Sequence, residues 1–209
     1  PDLAMRTRTV CVRVLTSNVS STESANMRIQ TFKRVSLKAL LMMPFLAFNL
    51  GQASETNFVP KAQLVVDKVY AIVGPLGQRS VANSGLNANY GFVVTDQGVI
   101  LIDSGASAHS AAMLEKAVAE VTKQPVRWVL NTGSQDHRWL GNDYFARKGA
   151  QIHALAATVQ TQKTAAEQQV LGMARFVGDQ MKGTSPRQAD VVHPGAEVTL
   201  QLGGIQFQW

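Results

Sequence analysis

A polar loop at residues 131–142, with the sequence NTGSQDHRWLGN, holds the side chains of this chain that are best suited to chemistry. Asp136 and His137 stand side by side, with Gln135 before them and Arg138 after them. Carboxylates and imidazoles bind zinc and transfer protons in catalysis. The loop follows VRWVL, a β-branched and aromatic run typical of a strand, and polar loops at strand ends commonly carry function. We therefore take this loop as the first candidate site.

The elements before the loop predict what positions it. Two apolar runs within residues 90–103 predict a pair of strands joined by a tight DQG turn, and the second strand ends at Asp103. A helix is predicted at about residues 106–123, with its apolar residues on one face. A strand at 126–131 then leads into the loop.

The rest of the chain after residue 54 alternates in the same way between strand and helix patterns. The predicted elements are a strand at 64–74, a short helix capped by Asn142 and ended by Gly149, a strand at 151–155, a long helix at about 156–181, a linker at 182–195 and a final hairpin that turns at Gly203 and Gly204.

The segments ANYGFVVTDQGVILIDSG, PVRWVLNTG and LGNDYF, with the helix between the first two, resemble the first half of the metallo-β-lactamase superfamily over roughly residues 64–155. The resemblance implies an α/β fold, the αββα sandwich of that superfamily, truncated to its first half. In the superfamily the remaining half supplies further zinc ligands and a second sheet. The chain ends at Trp209, so we expect a fragment.

In that superfamily the loop after the Asn-Thr strand end carries a His-x-His-x-Asp-His motif that holds one or two zinc ions. Aligned without gaps, which keeps Asn131 and Thr132, the chain has these residues at the ligand positions: Gly133, Gln135, His137 and Arg138. Only His137 among them binds zinc well. An alignment shifted by one residue matches Asp136 and His137 to the Asp-His pair and still lacks both earlier histidines. The resemblance thus implies zinc as the cofactor if a metal binds, with Asp136 and His137 as its ligands.

The loop also has a structural interpretation, in which Asp136 pairs with Arg138 and Trp139 packs beneath. The resemblance implies that Asp103 accepts hydrogen bonds from the loop, with Asn131 and Thr132 as further structural support. Gln135, Arg138 and His153 are the candidates for the mouth of the site. Of the other histidines, His109 is predicted to be exposed on its helix, and His193 to lie at the surface of the linker.

The amino end has the pattern of a secretory signal peptide at residues 27–53, with a basic segment, an apolar run from Ala39 to Leu50 and a small-residue site ending at Ala53. That run is shorter than the roughly 20 residues that span a bilayer. We therefore expect an exported protein, periplasmic or secreted, without a stable membrane span after signal cleavage; the alternative is a retained anchor. Residues 1–26 are predicted to be disordered or mis-annotated upstream sequence, and residues 54–209 to form the partial domain.

This division changes the meaning of the charge. The chain has a formal net charge of +6, but residues 1–53 hold seven of its 20 basic and two of its 14 acidic residues, which leaves +1 for the rest. The excess of positive charge therefore belongs mainly to the leader, and nucleic-acid binding is disfavoured. The single cysteine, Cys11, lies in the segment expected to be absent after cleavage, so neither a disulfide nor a thiol nucleophile is expected.

Three functions remain open from the sequence. The first is an exported metallo-hydrolase-like protein that hydrolyses an ester, thioester or amide bond of a small-molecule substrate. The second is a non-catalytic binding module that uses the same mouth without metal. The third is an inactive truncated fragment, since half of a sandwich exposes the apolar face that its partner sheet should cover.

Overall fold

A mixed seven-stranded sheet dominates the computed structural model, which describes residues 9–11 and 57–209 of the chain. The strands are β1 (Thr9–Cys11), β2 (Ala62–Val66), β3 (Val69–Ile72), β4 (Tyr90–Thr95), β5 (Gly98–Ile102), β6 (Val126–Asn131), β7 (Gln151–Leu155), β8 (Val191–His193), β9 (Thr199–Leu202) and β10 (Ile205–Gln208). The helices are α1 (Ala108–Ala119), α2 (Asp136–Trp139), α3 (Asn142–Arg147) and α4 (Ala156–Val177), followed by a 3₁₀ turn at Gly178–Met181.

The large sheet has the strand order β2-β3-β4-β5-β6-β7-β8. Strands β2 to β5 pair antiparallel, and β5 to β8 pair parallel. Because parallel strands end at the same edge of a sheet, the residues that follow β5 and β6 meet there. Asp103 and the loop that begins at Asn131 are thereby brought together from different parts of the sequence.

Both faces of the central strands are buried, as is usual where a sheet is covered on both sides. On one face, Leu101, Val129 and Ile152 pack with Leu114 of α1 and Phe145 of α3. The alternate residues face the β9–β10 hairpin in a second cluster that contains Ile100, Leu130, Leu202 and Phe207. Full burial of each such side chain contributes roughly 1.5–3 kcal/mol. The α/β fold class predicted from the sequence is confirmed.

Helix α1 begins two residues later than predicted because a capping box fixes its start. The Oγ of Ser107 accepts a hydrogen bond from the backbone N–H of Ser110 at 3.1 Å. In return, the Ser110 Oγ accepts the N–H of Ser107 at 2.8 Å. These two bonds satisfy donors that would otherwise have no partner at a helix start.

The single strand predicted at 64–74 is wrong. The segment forms two strands, β2 and β3, which pair antiparallel around a turn at Asp67 and Lys68. Lys68 has φ of 64°, a left-handed conformation that reverses the chain direction. Asp67 and Lys68 are the only break in an otherwise apolar run from 64 to 73, and neither glycine nor proline marks the turn, so it was not predicted.

The linker predicted at 182–195 is also wrong in part, since Val191–His193 forms β8 and pairs parallel with β7. Helix α4 is shorter than predicted: it ends at Val177, because Gly178 adopts φ of 54°. The strands at 126–131 and 151–155 and the hairpin at Gly203 and Gly204 are confirmed.

Strand β1 pairs parallel with β10 and completes a three-stranded sheet with β9. It lies within residues 1–26, where the sequence predicted no regular structure. The remainder of that segment and the predicted signal peptide at 27–53 lie outside the described residues. Within the described part of the chain, no helix combines the length and apolar character needed to cross a membrane.

Candidate functional site

The side chain of Asp103 binds the start of the loop at 131–142 through hydrogen bonds. It directly follows β5, is 4% exposed and adopts a left-handed φ of 62°. Its carboxylate accepts two hydrogen bonds from Thr132, from the backbone N–H at 2.7 Å and from Oγ1 at 2.7 Å. This is the contact that the resemblance implied for Asp103 and Thr132, and it ties the end of β5 to the start of the loop after β6.

The electrostatic state of Asp103 reflects a balance of burial and bonding. Burial raises the pKa of its carboxyl to about 6, although the hydrogen bonds from Thr132 and the charge of Arg138 act in the opposite direction. Arg138 Nη1 lies 3.5 Å from Asp103 Oδ2 and also donates to Thr132 Oγ1. At neutral pH the carboxylate is therefore charged, and a guanidinium stands beside it.

Beneath these charges lies a fully buried amide network. Asn131 and Asn142 exchange two side-chain hydrogen bonds, of 3.0 and 2.8 Å. The Ser104 Oγ donates to Asn142 Oδ1 at 2.8 Å, and Asn131 Nδ2 donates to the carbonyl oxygen of Arg138 at 3.1 Å. The network fixes the two ends of the loop to each other and to the end of β5.

Two sequence expectations need correction here. Asn142 does not cap its helix: Gly141 precedes α3, and the Asn142 side chain serves the buried network instead. The loop itself contains a short helix, α2, which the sequence did not predict. Ser104 was not singled out either, because a serine after a strand carries no signal of its own.

The centre of the site is a three-residue contact formed by Arg79, Asp136 and His137. Arg79 Nη2 donates to Asp136 Oδ1 at 2.5 Å and lies 3.1 Å from His137 Nδ1. The same Asp136 oxygen accepts the backbone N–H of His137 at 2.8 Å and lies 3.2 Å from His137 Nδ1. Burial opposes ionisation of Asp136, but the hydrogen bonds from His137 and the charge of Arg79 hold its pKa below the usual value.

Arg79 comes from the segment before β4, 57 residues before its partner Asp136. The sequence did not identify it, because a single arginine in a loop has neither a motif nor a period. The alternative in which Asp136 pairs with Arg138 is not what forms: Asp136 pairs with Arg79, and Arg138 stands beside Asp103.

Tyr90 supports the site from β4. Its hydroxyl donates to the carbonyl oxygen of His137 at 3.1 Å. Burial first, and then the charge of Asp103, raise the pKa of Tyr90 far above its usual range, so the phenol stays protonated and remains a donor. Like Arg79, it was not singled out in the sequence.

Helix α4 closes the other side of the loop. Trp139 is fully buried, as expected, and its Nε1 donates to Gln169 Oε1 at 2.7 Å. The Gln169 amide in turn donates to the carbonyl oxygen of Ser134 at 2.8 Å. The Gln169 side chain of α4 therefore hydrogen-bonds to the loop at two positions, Ser134 and Trp139.

A cleft of about 600 Å³ opens between this loop and α4. Arg79 and Asp136 line it on one side, and Glu167, Gln168 and Arg175 line it on the other. Its size suits a small molecule. Of the predicted mouth residues, Arg138 contributes to the charged site beside Asp103, and Gln135 is exposed at the start of α2.

His153 has different surroundings from those expected. It is buried, and its ring contacts Gln151 and His193 rather than the candidate loop. It pairs in register with Leu130, on the side of the sheet that faces the β9–β10 hairpin. His193, predicted at the surface, is half-buried through this contact, and His109 is exposed as predicted.

The burial of His153 predicts acid sensitivity. Burial, and then the nearby His193, lower the pKa of His153 from 6.5 to about 4. As the pH falls from about 6.5 to about 4, the unfolded chain takes up a proton that the folded chain does not, so stability falls across that window. We expect His153→Asn to flatten this part of a plot of melting temperature against pH. His109→Asn is the control, and equal acid sensitivity in wild type and His153→Asn would contradict the prediction.

The residues of the loop at 131–142 do not fit a zinc ion. Among residues 9–11 and 57–209, no group of three or more His, Cys, Asp or Glu side chains could hold a metal. Asp136 and His137 do lie together, but the Arg79 guanidinium contacts the carboxylate oxygen and the ring nitrogen that would bind the ion. A dication there would meet a permanent positive charge.

The sequence matches no protein-family profile, and no curated protein is similar to it. Among solved structures, a metallo-β-lactamase from Pontibacter korlensis is 19% identical, with 70% of this chain and 58% of that chain covered and a TM-score of 0.49. The metallo-β-lactamase FIM-1 from Pseudomonas aeruginosa in its mono-zinc form is 14% identical, with coverage of 70% and 56% and a TM-score of 0.48. TMB-1 is 16% identical, with coverage of 68% and 55% and a TM-score of 0.48.

The chain thus spans 55–58% of the length of these structures. Matches at this level concern the course of the backbone and carry no conclusion about metal, substrate or activity. The structure confirms the α/β class that the sequence predicted, and the resemblance to the metallo-β-lactamase superfamily stays an expectation from the sequence.

Proposed function

We propose that this chain is a metal-independent binding protein whose ligand site is the cleft beside Arg79 and Asp136, with His137 in contact with both side chains. The observation that carries the proposal is the position of the Arg79 guanidinium, whose Nη2 contacts Asp136 Oδ1 at 2.5 Å and His137 Nδ1 at 3.1 Å. The Arg79 guanidinium therefore already contacts both Asp136 and His137, the two residues that the resemblance implies as zinc ligands. A second cation, Arg138, stands beside Asp103.

The lining of the cleft supports a small polar ligand. Two cations, Arg79 and Arg175, and two carboxylates, Asp136 and Glu167, line the same space. A ligand with groups of both signs would match both pairs, whereas a highly charged anion would also meet the carboxylates. Amino acids and short peptides have this character, so they are the class of ligand that we propose.

Metal content of the purified protein tests the first part of the proposal. We expect elemental mass spectrometry to give the same metal content for wild type and His137→Ala, because Arg79 rather than a metal occupies the contact with His137. A lower metal content in His137→Ala would show that His137 is a ligand and would overturn the proposal.

Ligand binding tests the second part. We expect glycine or glycylglycine to bind in ligand-observed NMR, and Arg79→Ala to weaken that binding at least about tenfold, the effect of losing a charged hydrogen bond. Arg147→Ala is the matched control, because Arg147 is an exposed arginine that pairs with Asp143 of its own helix. Equal weakening in both variants, or no binding by wild type, would contradict this assignment.

One observation favours a second candidate, hydrolysis of an ester or amide without metal. Asp136 Oδ1 lies 3.2 Å from His137 Nδ1, and a carboxylate beside an imidazole orients a general base. In that case a chromogenic ester such as p-nitrophenyl acetate would be hydrolysed in the presence of a chelator, and His137→Ala would abolish the activity. No hydrolysis above the rate of the His137→Ala variant would leave binding as the function.

A further inference from the structure

Two histidine rings on adjacent strands meet at the edge of the large sheet, in a cluster that involves none of the residues of the Arg79 site. His153 lies on β7 and His193 on β8, and these strands pair in parallel. His153 Nδ1 and His193 Nε2 are 3.0 Å apart, and the two rings are inclined by 14°. Only one proton can lie between the two nitrogens, so at least one of them presents a lone pair to the other.

Gln151 determines which nitrogen that is. Its side-chain oxygen lies 2.9 Å from His153 Nε2 and, being an acceptor, requires a proton on that nitrogen. In the neutral ring the proton on Nε2 leaves Nδ1 as the acceptor, directed at His193. A metal-binding histidine usually donates its second ring N–H to an acceptor such as this one, and that hydrogen bond fixes the tautomer and the ring plane.

We propose that His153 Nδ1 and His193 Nε2 form a two-imidazole site for a divalent transition-metal ion, with water in the remaining coordination positions. The two nitrogens are 3.0 Å apart and the two ring centroids 5.3 Å apart, so the rings face each other along nearly one line and an ion between them takes both nitrogens as trans ligands. With each nitrogen at about 2.0–2.1 Å from the ion, the nitrogens lie about 4.1 Å apart, so the rings must separate by about 1 Å to admit it. His193 Nε2, which donates to His153 without metal, becomes a ligand when its proton moves to Nδ1 of the same ring. Cu²⁺ is the ion expected to bind this site most tightly, since it binds nitrogen ligands more tightly than Ni²⁺ or Zn²⁺.

The surroundings suit this role. His153 is buried, and its ring is held between Gln151 and His193. His193 is half-buried and is followed by the exposed Pro194 and Gly195, so an ion can reach it from solvent. Asp190, whose charge acts on His153, already accepts the backbone N–H of Ile152 at 3.0 Å and pairs with Arg187 at 2.7 Å.

The Trp209 ring lies edge-on to His193, with a centroid distance of 6.2 Å. Bound Cu²⁺ quenches tryptophan fluorescence at such short range, so the chain has a built-in reporter. Trp209→Phe is expected to remove most of the quenching and to leave the number of bound ions unchanged.

Copper titration of the full chain tests the proposal, because the sequence contains only four histidines and each can be replaced. We expect one Cu²⁺ per chain, with an electron paramagnetic resonance spectrum that shows nitrogen ligands. His193→Ala and His153→Asn should abolish stoichiometric binding, and Gln151→Ala should weaken it about 10- to 100-fold, the usual effect of losing the partner of a metal-binding histidine.

His109→Ala and His137→Ala are the controls and should bind copper as wild type does. His193 is half-buried on the last strand of the sheet, so its replacement tests the site even if His153→Asn does not fold. Stoichiometric copper binding by His193→Ala, loss of binding in either control, or no stoichiometric binding by wild type would each overturn the proposal.

Discussion

Gly141→Ala is expected to lower the free energy of unfolding by about 3 kcal/mol or more, at the upper end of the range for overpacked sites. A Cβ at this position would lie 2.1 Å from the carbonyl oxygen of Ser104 and 2.9 Å from its carbon. Both contacts are with backbone, which cannot rotate away as a side chain could. Gly141 has φ of −81°, a conformation open to any residue, so the effect measures close approach and not backbone strain.

This close approach matters because it joins the segment after β5 to the start of α3. The Gly141 N–H donates to the carbonyl oxygen of Gly105 at 3.1 Å, which holds the segment after β5 against the start of α3. Separating these segments would also strain the Ser104 to Asn142 hydrogen bond. We therefore expect Gly141→Ala to lengthen the contact between Arg79 and Asp136 as well as to lower the stability of the fold.

Urea unfolding followed by tryptophan fluorescence measures this effect. Gly172→Ala is the matched control: Gly172 lies within α4, and a Cβ there meets nothing within 4 Å. Alanine at that position should raise the stability by about 0.5–1 kcal/mol, since glycine is the weaker helix former. A Gly141→Ala variant as stable as Gly172→Ala would refute the close-approach argument.

Where local pattern determines structure, the sequence sufficed to predict the fold. The DQG turn, the apolar runs on either side of it and the strand at 126–131 all form as expected. The prediction failed where pairing with a strand that is distant in the sequence determines the local structure. Three residues at 191–193 become a strand because β7 offers them a free edge, and that edge is not visible in their own sequence.

The same distinction applies to the candidate site. The loop and the role of Asp103 could be inferred because both follow strand ends within one resemblance. Arg79 could not, since its contact with Asp136 depends on how a loop 57 residues away folds back. His153 was correctly predicted to lie on the strand at 151–155, but alternation alone does not say which of the two faces of the sheet its ring takes, and the ring contacts His193.

Asp103→Ala is expected to lower the free energy of unfolding by about 2–3 kcal/mol, the order expected when hydrogen bonds to a charged acceptor are lost. The half-buried Thr132 N–H and hydroxyl would lose their acceptor, and Arg138 would lose its neighbouring carboxylate. Alanine would also have to adopt the left-handed φ of 62°, which aspartate tolerates better. Asp96→Ala, a change at an exposed turn residue, should stay within about 0.5 kcal/mol of wild type in the same urea experiment.

Asp103→Asn separates the charge of this residue from its shape. Asparagine tolerates the left-handed conformation and can accept the Thr132 N–H, but its amide NH₂ would face the Thr132 hydroxyl and Arg138. We expect a loss of stability smaller than that of Asp103→Ala, and Arg138 retained close to its present position. A loss equal to that of alanine would mean that the second carboxylate oxygen provides most of the stabilisation.

The pH dependence of the Asp103→Asn variant gives a further test, because its sign is fixed by the raised pKa. The folded chain takes up a proton at Asp103 near pH 6, whereas the unfolded chain does so near 3.8. As the pH falls through that window, protonation favours the folded wild type, and the contribution is lost again as the pH rises through 6. Wild type should therefore gain stability relative to Asp103→Asn on acidification. The opposite slope from His153 is common to both proteins and cancels in the difference, so parallel profiles would show that Asp103 does not titrate with a raised pKa.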